Sequence, residues 1–128
     1  MSWVYSCPHC GSVLNPDETI ILIGVREDVR VMVGLRPEPG DYRVSVPPGF
    51  AIEPGSVWGF QCPLCRDSLI SELSDELCCL DMIARGVRHR VYFSRTAGEH
   101  ATFVLSAEGL EQYGEHADRH SLEILEHV

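Results

Sequence analysis

The chain has 128 residues, of which 45% are hydrophobic and 23% are charged, and its net charge is −9. This length and composition suit one globular domain with a modest core, and no stretch approaches the roughly 20 apolar residues of a membrane-spanning helix. The acidic balance argues against a general nucleic-acid-binding surface, because such a surface needs a basic face.

The N-terminal residues show no basic region followed by an apolar one, so the sequence predicts no signal peptide. The chain has six cysteines, and four of them form two Cys-x-x-Cys pairs. Pairs of this kind fit metal binding in a reducing compartment better than disulfide bonds. We therefore expect a cytoplasmic protein.

The first half of the chain predicts five strands. Alternating or β-branched apolar residues indicate strands over residues 3–7, 19–25, 29–35, 42–46 and 57–61. A polar turn joins the second and third of these, which predicts a hairpin. Residues 36–56 hold five of the eight prolines and are interpreted as a loop that the short strand 42–46 interrupts. That loop either presents Phe50 to a partner or packs it against the sheet, and we favour packing.

The second half predicts a β-meander followed by a helix. Residues 77–105 form three runs that are broken near Gly86 and Gly98: the first is apolar apart from Asp81, and the other two alternate. This pattern indicates three antiparallel strands. Ser106 is a suitable N-cap for a short helix that buries Leu110 and Tyr113 and ends at Gly114. The tail from residue 121 to 128 is ambiguous between strand and helix.

The predicted fold class is therefore α+β, mainly β, in a single domain over residues 1–128. A metal-binding part covers residues 1–70, with a hairpin and the proline-rich loop between its two Cys-x-x-Cys pairs. The meander and the short helix cover residues 71–128.

Two stretches of the sequence resemble each other. Residues 3–10 and residues 58–65 both fit Trp-x-aromatic-x-Cys-Pro-x-Cys, and a leucine follows each at the same distance, Leu14 and Leu69. We interpret this short repeat as two halves of one metal site, because four thiolates are a preferred tetrahedral ligand set for Zn²⁺ or a single Fe. The alternative is four buried or disulfide-bonded cysteines.

Neighbouring residues support the metal interpretation. Proline after the first cysteine of each pair fixes φ for a tight turn, and Gly11 can adopt a positive φ that points backbone N–H groups at sulfur. On a strand, the tryptophan, the second aromatic and the first cysteine of each stretch share one face. The aromatics would then cover the sulfurs and keep water away from them.

These residues resemble the paired knuckles of zinc-ribbon and rubredoxin-like proteins, in Cys7-Pro8-His9-Cys10-Gly11 and Cys62-Pro63-Leu64-Cys65. The resemblance covers only these two stretches. It implies one metal held between two β-hairpin knuckles by the four ligands Cys7, Cys10, Cys62 and Cys65. Arg66 stands where the family often has glycine, so the second knuckle is expected to be strained or to turn differently. The segment from Cys10 to Cys62 is longer than the compact ribbon motif.

The remaining chemistry-bearing residues are assigned structural roles. Cys78 and Cys79 point to opposite faces of a strand and are interpreted as small core residues, with a thiol redox switch as the alternative. The spacing of His116 and His120 would suit a helix, but Gly114 ends the predicted helix before them. All six histidines are therefore expected at the surface or beside the metal ligands.

The sequence contains no Gly-x-Ser-x-Gly, phosphate-loop or nucleotide-binding motif, so we assign no catalytic residues and no organic cofactor. A metal with four protein sulfurs has no open position for water. The leading hypothesis is a non-enzymatic zinc protein, an adaptor or regulatory subunit that binds another protein. The alternatives are a rubredoxin-like iron electron carrier and a nucleic-acid-binding ribbon, which the acidic charge disfavours. Self-association is left open.

Overall fold

The computed structural model describes residues 3–121 and residue 124. In this part of the chain, nine strands form two antiparallel sheets. The strands are β1 (Val4–Ser6), β2 (Ile20–Arg26), β3 (Val29–Leu35), β4 (Val44–Ser45), β5 (Gly59–Gln61), β6 (Leu77–Ala84), β7 (Val87–Ser94), β8 (Thr102–Ser106) and β9 (Gly109–Tyr113). The five-stranded sheet has the order β1-β6-β7-β8-β9, and the four-stranded sheet has the order β4-β3-β2-β5.

The main core is formed by side chains that alternate along the strands of both sheets. In β2, Ile20 and Leu22 are buried while their neighbours are partly exposed, and in β3 the buried Val31 and Val33 lie on either side of the exposed Met32. They pack in one cluster with residues of the five-stranded sheet, which include Leu80 in β6. Period-two alternation therefore places one apolar face of each sheet in a common core.

A second core covers the opposite face of the five-stranded sheet. Cys79, Tyr92 and Phe103 are cross-strand neighbours in β6, β7 and β8, and they pack with Ala117 and Ile124 near the C-terminal end. Strand β6 is thus buried on both faces, which explains why its sequence is almost continuously apolar rather than alternating.

The short sequence repeat is part of a longer structural repeat. Residues 3–35, the first repeat, and residues 58–93, the second repeat, each contain a short strand, a Cys-x-x-Cys turn and a hairpin. The hairpins have the same register, because the pair Leu22 and Val33 in β2–β3 corresponds to the pair Leu80 and Val91 in β6–β7.

The two repeats exchange their first strands. Strand β1 pairs with β6 of the second repeat, and β5 pairs with β2 of the first repeat. The predicted metal-binding segments therefore do not pair with each other, and each completes the sheet of the opposite repeat. This exchange ties residues near the N-terminus to the middle of the chain.

The strand predictions for the hairpin and the meander are confirmed. The structure has β2 and β3 within one residue of the predicted runs, and β6, β7 and β8 form the predicted meander. Phe50 packs edge-on against Trp58, with 6.1 Å between the ring centroids, as the favoured interpretation of the loop required.

The α+β class is wrong, and the described part of the chain is all-β. Residues assigned to a short helix after Ser106 form β9, which pairs with β8 through Leu110 opposite Leu105. The Ser106 hydroxyl accepts a hydrogen bond from the backbone N–H of Glu108 within a tight turn, and Gly109 closes that turn with a φ of 134°. Serine and glycine are as common in turns as at helix ends, so this pair of residues did not distinguish a helix from a hairpin.

The helical element with described bounds is a single 3-10 turn over Ala117–Arg119. Most of the ambiguous tail, residues 122–123 and 125–128, lies outside the described residues. Within the described part, no helix has the length and apolarity needed to cross a bilayer.

Gly114 provides a test of how the end of β9 is anchored. Its φ is 97°, and a Cβ there would collide with the backbone carbonyl of His100 and lie 2.6 Å from the Tyr42 hydroxyl. We expect Gly114→Ala to lower the free energy of unfolding by more than about 2 kcal/mol, because the positive φ and the overpacking both destabilise the folded state.

Gly49→Ala is the matched control, since Gly49 has a φ of 82° but no atom within 4 Å of the added Cβ. It should cost only about 1–2 kcal/mol. Urea denaturation of both variants gives the comparison, and equal losses would show that the contact at Gly114 does not constrain the fold.

Candidate metal centre

The structure brings the four predicted cysteines together at the junction of the two repeats. Their sulfurs all lie within 4.8 Å of one another. The distance is 3.8 Å from Cys7 Sγ to Cys65 Sγ and 3.8 Å from Cys10 Sγ to Cys62 Sγ. Sulfurs about 2.3 Å from a tetrahedral zinc ion are separated by about 3.8 Å. The spacing therefore fits one four-coordinate metal.

The two Cys-x-x-Cys turns have the same backbone geometry. The N–H of Gly11 donates to the carbonyl of Cys7 at 2.9 Å, and the N–H of Arg66 donates to the carbonyl of Cys62 at 2.9 Å. The N–H of His9 points at Cys7 Sγ at 3.3 Å, and the N–H of Leu64 points at Cys62 Sγ at 3.4 Å. Hydrogen bonds of this kind stabilise a thiolate, as the sequence predicted for the first turn.

Arg66 adopts the conformation that glycine has in the first turn. Its φ is 67°, and the φ of Gly11 is 76°. The second turn therefore has the same bend as the first. Arg66 is strained there, because the left-handed conformation is sterically unfavourable for a residue with a Cβ.

The four thiols differ in their surroundings. Cys7 and Cys62 are buried, Cys65 is partly buried and Cys10 is exposed. The Ser12 hydroxyl beside Cys10 lowers the pKa of that thiol to about 6. The backbone N–H of Asp67 lowers the pKa of Cys65, but desolvation and the three neighbouring thiols raise it to about 12. Thiols this close cannot all ionise unless a cation lies among them, since like charges disfavour each other.

Hydrophobic side chains and one histidine hold the centre together. Cys7 and Cys62 belong to the main core together with Tyr5 and Trp58. Cys10 is exposed, so the aromatic side chains do not keep water from all four sulfurs as predicted. The ring Nε2 of His9 lies 3.0 Å from the carbonyl oxygen of Ser68, which links the first turn to the segment that follows the second turn.

Cys78 and Cys79 are buried free thiols on opposite faces of β6, as predicted. Burial raises the pKa of each thiol to about 12. Neither thiol is accessible or has the lowered pKa that a redox switch requires.

A second group of potential ligands joins His100, Glu115 and His116. His116 Nδ1 accepts a hydrogen bond from the backbone N–H of His100 at 2.9 Å, so the neutral ring carries its proton on Nε2. The remaining nitrogen is then not free to bind a metal. His100 is also stacked on Tyr42, with 4.4 Å between the ring centroids, which indicates a structural role.

The sequence interpretation missed the burial of His120. This residue is only 4% exposed, and its Nε2 lies 2.6 Å from Glu99 Oε1. Desolvation opposes ionisation of Glu99, but hydrogen bonds from Ser94, His120 and Arg119 lower its pKa. The expectation that all six histidines lie at the surface or beside the metal ligands is wrong for His120. Nothing in the local sequence placed it opposite Glu99.

Comparisons with protein families, with curated proteins and with solved structures found no match to this chain.

The two turns allow a paired test of backbone strain. We expect Arg66→Gly to raise the free energy of unfolding by up to about 1 kcal/mol, because it removes the left-handed penalty of a non-glycine residue. Gly11→Ala should lower it by about 1 kcal/mol or more at the equivalent position. Urea denaturation of the metal-loaded variants measures both.

Arg88→Gly in β7 is the control, because Arg88 is exposed in regular strand conformation. It should destabilise the protein by about 0.5–1 kcal/mol through chain entropy. If Arg66→Gly destabilises the protein as Arg88→Gly does, the strain assigned to the second turn is absent.

Proposed function

We propose that this chain is a non-enzymatic zinc-binding protein. Zn²⁺ at Cys7, Cys10, Cys62 and Cys65 would form a closed structural site of the two-knuckle, zinc-ribbon-like kind. The observation that carries the proposal is the group of four sulfurs, with two symmetry-related distances of 3.8 Å at the junction of the repeats. Four protein sulfurs complete the tetrahedron and leave no position at which water could be activated.

The position of the site explains why a metal would be needed. Strands β1 and β5 have only three residues each and lie at sheet edges. Such short strands contribute few hydrogen bonds and little buried surface. A metal between them would join the two sheets, and its binding free energy would contribute directly to folding.

We further propose that the stabilised module binds another protein. Two apolar residues beside the cysteine turns are solvent-exposed: Leu64 is 65% exposed and Val13 is 49% exposed. The net charge of −9 favours a partner with a basic surface and disfavours nucleic acid. Phe50, the one aromatic of the proline-rich loop that was considered for recognition, packs on Trp58, so the proposal rests on the turns rather than on that loop.

Iron at the same four sulfurs is the second candidate, with electron transfer as the function. Two observations favour it: backbone N–H groups point at Cys7 and Cys62, and Cys10 is exposed. Hydrogen bonds to sulfur and solvent exposure are the features by which proteins adjust the potential of iron–sulfur centres.

Metal content separates the two candidates. Protein grown with both zinc and iron supplied is expected to contain one zinc ion per chain and to be colourless. Elemental analysis and a visible absorption spectrum are the measurements. One iron ion per chain, with a thiolate-to-iron band that bleaches on reduction, would move electron transfer to first place and contradict the zinc assignment.

Two single cysteine variants test the ligand set of the site. Cys62→Ser should abolish stoichiometric metal binding and lower the melting temperature strongly, because it removes one of four ligands at the junction. Cys79→Ser is the matched control in the second core. It should cost about 1–3 kcal/mol, the penalty for a buried hydroxyl, while the metal is retained. If Cys62→Ser retains one metal ion per chain, the proposed ligand set is incorrect.

A further inference from the structure

A cavity of about 330 Å³ lies between the two sheets. This volume is at the small end of the range of about 300–1,000 Å³ found for small-molecule sites. Repeat-related residues line it in pairs: Tyr5 with Phe60, Val33 with Val91, and Leu35 with Phe93. The exchange of β1 and β5 thus gives the cavity an apolar wall from each repeat.

The entrance is formed by the segments that follow the two central strands. Residues 36–43 lie between β3 and β4, residues 95–101 lie between β7 and β8, and both segments contribute to the lining. At the start of the first segment, Arg36 lines the cavity, and its side chain makes no hydrogen bond to another described residue. A guanidinium beside an apolar cavity gains from an acceptor, so a ligand that supplies one would be favoured at Arg36.

The other two arginines of the lining are already engaged. Arg43 forms two hydrogen bonds with Asp41, from Nε to Oδ1 at 3.0 Å and from Nη2 to Oδ2 at 2.7 Å. The Arg43 side chain lowers the pKa of Asp41 to about 2, with a smaller effect from Arg36. Arg95 donates to the backbone carbonyls of Trp58 and Asp75 at 2.8 and 2.7 Å.

A second carboxylate of the lining, the partly buried Glu99, is also engaged. Glu99 Oε1 accepts from Ser94 Oγ at 2.6 Å and lies 2.6 Å from His120 Nε2. Glu99 Oε2 accepts from Arg119 at 3.2 Å. With Asp41 held by Arg43 and Glu99 held by these three groups, neither carboxylate makes a hydrogen bond to Arg36. The third carboxylate of the lining, Glu38, is exposed and makes no hydrogen bond to Arg36 among the described residues.

We propose that this cavity binds a small apolar molecule that carries a single carboxylate. The carboxylate accepts hydrogen bonds from Arg36 at the entrance, and the apolar body lies between the sheets against Phe60 and Phe93. A guanidinium matches the planar geometry of a carboxylate, and charge-assisted hydrogen bonds of this type are about twice as strong as neutral ones. A ligand with a second negative charge would face Glu99 and the acidic protein. The inference does not depend on which metal the cysteines hold.

The test compares decanoate with its uncharged analogue decanol on the full chain as purified with its metal. Isothermal titration calorimetry should show saturable binding of decanoate that is at least about tenfold tighter than binding of decanol, because only the carboxylate engages Arg36. Arg36→Met should weaken the binding of decanoate at least about tenfold and leave the binding of decanol unchanged. Arg88→Met, which removes an exposed arginine of β7, should change neither.

A cavity-filling variant tests the location of the apolar body. Leu35→Phe introduces the side chain that the second repeat has at the equivalent position, Phe93, and should weaken both ligands. Circular dichroism and thermal unfolding verify that each variant is folded. The proposal is overturned if the folded wild-type chain does not bind decanoate or binds it no more tightly than decanol. It is also overturned if Arg36→Met does not lower the affinity for decanoate. Unchanged binding by folded Leu35→Phe would also overturn it, because the ligand would then lie elsewhere.

Discussion

The contact of four cysteine sulfurs between the repeats is the constraint on which the rest of this structure depends. Cys7 and Cys10 follow a three-residue strand, and Cys62 and Cys65 follow another. Each of these strands pairs with the hairpin of the opposite repeat. The sulfurs therefore lie where both exchanged strands turn back into their own repeat, and a metal there would fix the position of one sheet relative to the other.

This arrangement explains the long segment between the two pairs of cysteines. The segment contains the whole hairpin β2–β3, which the second repeat needs as a partner for β5. It also contains the start of the cavity entrance at Arg36. The candidate metal centre and the cavity are thus two consequences of one interface: the four sulfurs come together where the exchanged strands end, and repeat-related side chains leave an apolar space between the sheets.

Sequence patterns predicted those parts of the fold in which local chemistry and tertiary structure agree. Alternation identified β3, where one face is buried, and β7, although Tyr92 on its predicted outer face is buried in the second core. The two cysteine pairs identified the candidate centre. The strand β9 was assigned to a helix because Ser106 and Gly114 have the same local preferences at a turn as at a helix end. Tertiary pairing with β8 decided that segment.

Other features depended on contacts that no local pattern encodes. The exchange of β1 and β5 is one such feature, because both repeats contain a hairpin of the same register with which either strand could pair. The burial of His120 depends on Glu99, which lies in a distant turn. The sequence does not distinguish Arg36 from the other arginines of the chain; its place directly after β3 makes it a lining residue of the cavity.

X-ray absorption at the edge of the metal that copurifies with the full chain tests the central claim most directly. The account predicts a single shell of four sulfurs, at about 2.3 Å if the metal is zinc, with no oxygen or nitrogen neighbour. A shell that contains oxygen or nitrogen, or fewer than four sulfurs, would contradict the claim that Cys7, Cys10, Cys62 and Cys65 close one site between the repeats.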